Sequence, residues 1–122
     1  MRLAQVLVFV VDMARMQRFY RDLLGLAVID EAPGFARYDA GGTRLALHAI
    51  PAEIAATIAI TDPPERRADA AIKVAFEVDD LAATRARLAA AGIAIGEIWT
   101  WGGQSACDGV DPEGNVFQLA SQ

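Results

Sequence analysis

Over Arg2–Val11, Val6, Val8 and Val10 alternate with Gln5, Leu7 and Phe9. Period-two alternation with apolar residues on both faces predicts a strand covered on both sides. Asp12 then offers a helix N-cap, and Met13, Met16, Tyr20 and Leu23 recur at helical spacing. Phe19 and Leu24 widen that stripe, and Gly25 stands where a helix C-cap belongs. Short strands follow at Leu26–Asp30 and Phe35–Asp39, around the turn-forming pair Pro33-Gly34. Gly41-Gly42 turns the chain into a further strand, Thr43–Ile50.

Pro51–Ala71 loses this regularity. Pro51, Pro63 and Pro64 interrupt it, and Glu65-Arg66-Arg67 is polar. It reads as a linker with one helical turn around Ala52–Ala59. Regular patterning then returns. Ile72, Val74, Phe76 and Val78 define one strand face, and Lys73, Ala75 and Glu77 the other. Asp79 or Asp80 caps a helix through Leu81, Leu88 and Ala91 that ends at Gly92. Ile93–Trp99, Gln104–Val110 and Asn115–Ala120 read as strands, the last two joined by the turn Asp111-Pro-Glu-Gly114.

The second half repeats the first. Val10-Val11-Asp12-Met13 aligns with Val78-Asp79-Asp80-Leu81, and Gly25 with Gly92. Gly42-Thr-Arg-Leu-Ala-Leu47 aligns with Gly114-Asn-Val-Phe-Gln-Leu119. Each half reads strand–helix–strand–strand–strand. The organisation expected is a single domain over residues 1–122: module one at about 1–50, a linker at 51–71 and module two at about 72–122.

Composition narrows the function classes. The 122 residues are 54% hydrophobic, enough for one continuous core. The formal net charge of -5 argues against a nucleic-acid partner, which needs a basic face. No apolar run of about 18 residues exists to span a membrane. Met1–Val11 reads as a buried strand rather than a signal peptide, so a cytoplasmic protein is expected. Cys107 is the single cysteine, which removes internal disulfides and cysteine-based zinc sites and suits a small buried apolar residue.

Three local patterns give the chain a family resemblance. The first is Gln5-Val-Leu-Val-Phe-Val-Val-Asp12 followed by Arg18-Phe-Tyr-Arg-Asp-Leu-Leu-Gly-Leu26. The second is Phe76-Glu-Val-Asp-Asp-Leu81 with the helix ending at Ala91-Gly92. The third is Trp101-Gly102 with Asp111-Pro-Glu-Gly-Asn115. Together they resemble the glyoxalase / bleomycin-resistance / extradiol-dioxygenase (vicinal oxygen chelate) superfamily, nearly end to end. The resemblance implies an α+β fold: two βαβββ modules forming an eight-stranded cupped mixed sheet, with helices on the convex side and ligand on the concave side. It also implies a homodimer, in some members with modules exchanged between chains.

In metal-dependent members of that family, four strands each supply one ligand. By alignment those positions fall on Gln5, Ala46, Lys73 and Gln118. Alanine offers no donor, and an ammonium repels a divalent ion. His48 lies two residues beyond Ala46, hence on the same strand face, and is the one imidazole available. The metal site reads as degraded, with no cofactor expected and a divalent metal as the alternative.

The residues instead suit a pocket for a small, partly aromatic molecule. Gln5 and Gln118 give polar groups, and Lys73 supplies charge for an anionic ligand or pairs with Glu77. His48, Trp99 and Trp101 give flat surfaces. The expectation is therefore a bleomycin-resistance-like binding protein. The alternative is a metal-dependent lyase, isomerase or dioxygenase of the glyoxalase type. Asp111, Gly114 and Asn115 read as turn chemistry.

Overall fold

The computed structural model describes residues 1–121, and the chain divides into two compact units, Met1–Thr61 and a second beginning at Asp62. The first unit runs β1 (Gln5–Val10), α1 (Met13–Gln17), β2 (Ala27–Ala32), β3 (Phe35–Asp39) and β4 (Arg44–Ala49), with a short α2 (Ala52–Ala55) after them. The second runs β5 (Val74–Glu77), α3 (Leu81–Ala90), β6 (Trp99–Trp101), β7 (Gln104–Val110) and β8 (Val116–Ser121). Each unit holds one four-stranded mixed sheet, ordered β1-β4-β3-β2 and β5-β8-β7-β6. In each the first strand lies parallel to the last, and the other pairs are antiparallel. The α+β class and the two βαβββ modules expected from the repeat are both present.

The two helices start in the same way. Asp12 accepts from the Arg15 N–H at 3.0 Å, and Asp80 from the Ala83 N–H at 2.9 Å. Each satisfies a backbone donor that has no partner within its own helix. The first helix then departs from expectation. Beyond Gln17 it widens into a π-helical turn over Arg18–Leu23, and the Leu24 N–H donates to the Phe19 carbonyl at 2.9 Å. That turn buries the adjacent rings of Phe19 and Tyr20, which meet edge to face at 4.9 Å.

Strand alternation sorts each sheet into two faces. In the first unit, Val10, Ala36, Tyr38, Leu45 and Leu47 are buried, as are Met16, Phe19 and Tyr20 of the helical segment. In the second, Phe117, Leu119 and Cys107 are buried, with Leu81 and Leu88 of α3. This is where each core sits. Burial pushes the Cys107 thiol above its usual pKa, so it behaves as a small core residue. The opposite face, here the open face, is not covered by the unit's own helix.

The strand expected at Ile93–Trp99 forms later, as β6 at Trp99–Trp101, leaving a lone bridge between Ile95 and Gly109. Arg85 of α3 explains the break. Its Nε donates to the Gly96 carbonyl at 2.6 Å, and its guanidinium also bonds Glu97 at 3.1 Å. The Gly96 carbonyl is thereby diverted from a sheet neighbour.

Candidate functional site

On the first unit's open face, register puts Gln5 beside Arg44, Leu7 beside Ala46 and Phe9 beside His48. Across β4, Arg37 lies beside Ala46, and Phe35 beside His48. His48 is exposed at one end of this face. Its ring meets Phe9 at 5.7 Å and Phe35 at 5.9 Å, both edge to face. His48 Nδ1 lies 3.2 Å from the Ala49 carbonyl oxygen. If Nδ1 donates there, Nε2 is left as an acceptor. Phe9 is 61% exposed, which is unusual for a ring within a strand. The Gln5 side-chain amide has no hydrogen-bond partner among the described residues and keeps its donors and acceptor for solvent or ligand.

One ion pair crosses this face. Arg37 Nε donates to Asp30 Oδ1 at 3.0 Å, and its terminal nitrogen bonds the second carboxylate oxygen. The guanidinium holds the Asp30 carboxyl below the usual carboxylate range.

The second unit's open face is built around Asp108, in register with Gln118 across β7 and β8. Lys73, one residue before β5, reaches over β8 to it. Its Nζ bonds both Asp108 oxygens, at 3.1 and 3.0 Å. Gln118 Nε2 donates to Asp108 Oδ1 at 3.2 Å, and the Arg66 guanidinium lies 3.9 Å from Oδ2. The partner considered for Lys73, Glu77, is not the one used. Four residues along a strand span roughly 13 Å, more than two strand spacings of about 5 Å each. Trp99 is in register with Ala106 and Trp101 with Gln104, which puts both indoles on the Asp108 face. They are 45% and 77% exposed, so neither fills a core.

The polar turn after β7 positions this face from below. Asp111 is buried and accepts from the Glu113 and Asn115 N–H groups, both at 2.9 Å, and from Asn115 Nδ2 at 2.8 Å. Gly114 has φ +90°, and a Cβ on it would come within 2.2 Å of the Glu65 carbonyl oxygen. Only glycine fits that approach. The Arg67 N–H donates to the Gly114 carbonyl at 2.9 Å, and Arg67 Nε to the Glu113 carbonyl at 3.2 Å. The polar triplet Glu65-Arg66-Arg67 is thus fastened to the turn, which brings Arg66 to Asp108.

The four family ligand positions do not suit a divalent metal. In the first unit they hold Gln5 and Ala46, one amide and one methyl. In the second they hold Lys73, a cation already bound to Asp108, and Gln118, whose Nε2 donates to Asp108 and whose carbonyl oxygen is a single weak donor. Among the described residues, no three His, Cys, Asp or Glu side chains group to hold an ion.

All six residues singled out from sequence lie on open faces: Gln5 and His48 in the first unit, Lys73, Trp99, Trp101 and Gln118 in the second. Sequence reasoning missed Asp108, Arg66 and the Arg37–Asp30 pair. The two-residue period of β7 carries a signal for Asp108, since it matches Gln118 in register. Arg66 sits in an irregular segment that carries none.

Residues 2–119 match the model of a family described as the Glyoxalase/Bleomycin resistance protein/Dioxygenase superfamily. Among solved structures, the protein SMU.1112c is 26% identical, with a TM-score of 0.76 over 98% of each chain. A lactoylglutathione lyase from Agrobacterium tumefaciens is 22% identical, with a TM-score of 0.72, over 98% of this chain and 92% of that one. A glyoxalase-related enzyme from Fulvimarina pelagi is 21% identical, with a TM-score of 0.75, over 99% and 88%. At those identities the last two likenesses concern the fold. No curated protein matches the chain. Among the described residues, no helix is long and apolar enough to cross a membrane.

Proposed function

Since the chain belongs to the Glyoxalase/Bleomycin resistance protein/Dioxygenase superfamily, we propose that it binds a small planar organic molecule on its open sheet faces, without a resident divalent metal. The observation that carries this reading is the presence of aromatic rings and an amide on each of those faces. Phe9, His48 and the half-buried Phe35 stand at one end of the face whose other end holds Gln5, and Trp99 and Trp101 share a face with Gln118. Aromatic surface supplies most of the binding free energy for a flat ligand, and a few fixed polar groups orient it. The metal-dependent lyase, isomerase or dioxygenase reading needs converging donors, and the ligand positions supply two amides, a methyl and an ammonium. The working form in this proposal is a homodimer. The edge strand β2, where Val28 and Ile29 are each nearly half exposed, is a surface that association would cover.

The test uses melting temperature with neutral planar probes, indole and 2-naphthamide. A ligand held by the native state raises the melting temperature, by about 2.7 kcal/mol of stabilisation at a hundredfold excess over Kd. The expected result is a saturable rise that Trp99→Ala and Phe9→Ala each reduce. No shift with any planar probe, charged or neutral, sinks the reading. Light scattering reports the oligomeric state, and a monomer at micromolar concentration removes the dimer from the proposal.

A further inference from the structure

We propose that the second unit's open face carries an anion subsite, formed by Arg66 and Lys73 on the template of Asp108, that selects planar ligands bearing a carboxylate. This rests on the planar-ligand reading above and names the ligand class.

The argument begins with charge. Lys73 and Arg66 are two cations addressing one carboxylate, Asp108, so one positive charge is left over. Among the described strand residues of this face the other carboxylate is Glu77, which lies four residues along β5 from Lys73, roughly 13 Å away in backbone terms, and is screened at ordinary salt.

Hydrogen-bond capacity points the same way. Two of the three Lys73 donors go to Asp108, which leaves one N–H. At 3.9 Å the Arg66 guanidinium is held by charge and is beyond hydrogen-bonding distance. Its N–H groups make no hydrogen bond among the described residues, and its side chain is 54% exposed. A planar fork of unused donors matches a carboxylate in bidentate geometry.

Arg66 is also placed. The Arg67 bonds to Gly114 and Glu113 tie its backbone to the Asp111–Asn115 turn. Asp108 is the less exposed member at 23%, fixed by Lys73 and Gln118, so it sets where both cations stand.

The rings lie within reach. Trp99 is one strand over and two residues along from Asp108, roughly 8 Å between backbones. A flat ring on Trp99 with a carboxylate directed at Arg66 and Lys73 spans that interval. A cationic ligand meets the surplus positive charge and is disfavoured.

The experiment is calorimetric titration of the full chain with 2-naphthoate, 2-naphthamide and 2-naphthylmethylammonium at fixed ionic strength. Naphthoate is expected to bind at least tenfold more tightly than the amide, and the ammonium more weakly than either. Arg66→Ala, at an exposed position, should lower naphthoate affinity about tenfold and leave the amide unchanged; Arg66→Lys should recover part of the loss. Equal affinity for naphthoate and amide, or indifference of their ratio to Arg66→Ala, overturns the subsite while leaving the planar-ligand reading in place. Inorganic phosphate binding as tightly as naphthoate overturns the ring-plus-carboxylate selectivity. No heat from any of the three probes removes both.

Discussion

Where the first unit has Gln5 the second has Lys73; Ala46 is matched by Gln118, and Arg37, beside Ala46, by Asp108, beside Gln118. The sheet orders are the same, and so are the aspartate caps. On the open faces, however, matched positions carry different chemistry. In the first unit an ion pair joins adjacent strands, Arg37 on β3 to Asp30 on β2, and rings gather around His48. In the second, a cation crosses a whole strand to reach Asp108, and indoles stand at the edge strand. Exposed pairs of this kind contribute at most about 1 kcal/mol to stability, so the open faces are free to serve a ligand while the helix-covered faces hold the fold.

The cores show a second contrast. Tyr38 lies beside Leu45, and at the matching place Gly109 lies beside Phe117. Large and small residues have changed places. A Cβ on Gly109 would come within 2.4 Å of the Phe117 ring, so the ring fills the space left by the missing side chain. Gly109→Ala should therefore cost about 2 kcal/mol in urea unfolding through overpacking, and Phe117→Leu in the same chain should recover part of it. A change below about 0.5 kcal/mol would dissolve the contrast.

Tyr38 sharpens it from the other side. Burial, with the nearby Glu31 carboxylate, pushes its phenol up to about 12. The unfolded phenol titrates near pH 10. The folded state holds the proton more tightly, so its contribution is complete below pH 10 and is lost as pH rises towards 12. Stability measured from pH 9 to 12 should fall, and Tyr38→Phe should flatten the part of that slope due to this phenol. An unchanged slope would mean the ring is not buried as described.

The ion pairs should show the smallest effects. Asp108→Ala should cost about 1 kcal/mol, because Lys73 and Gln118 lose their acceptor. Asp30→Ala, which leaves an exposed Arg37, should cost less. Asp30 has a depressed pKa in the fold, so its contribution is present above the usual carboxylate range and is lost on acidification below it. Equal and large losses in unfolding experiments would make these pairs part of the framework.

The framework was legible in the sequence because local rules govern it. Alternation placed β1 and the faces of Gln5 and Val6, Asp12 announced a cap, and the match of Gly42–Leu47 to Gly114–Leu119 gave the repeat. Two departures came from tertiary contacts. Arg85 took the Gly96 carbonyl, and the burial of adjacent Phe19 and Tyr20 goes with a π-helical turn. The site was legible by face rather than by partner. Alternation put Lys73 opposite the apolar face of its strand and the family alignment singled out Gln118, but Asp108 as their shared acceptor depends on sheet register, and Arg66 on the fastening of an irregular segment to Gly114.

The central claim is that these open faces take an organic ligand with no resident divalent metal. The most direct measurement strips the chain with chelator and adds nickel, zinc, manganese or ferrous ion separately, reading bound metal per chain together with melting temperature. The account predicts no stoichiometric metal and no rise in melting temperature. One tightly bound ion per chain, lost in both Gln5→Ala and His48→Ala, would contradict it and put the metal-dependent enzyme first.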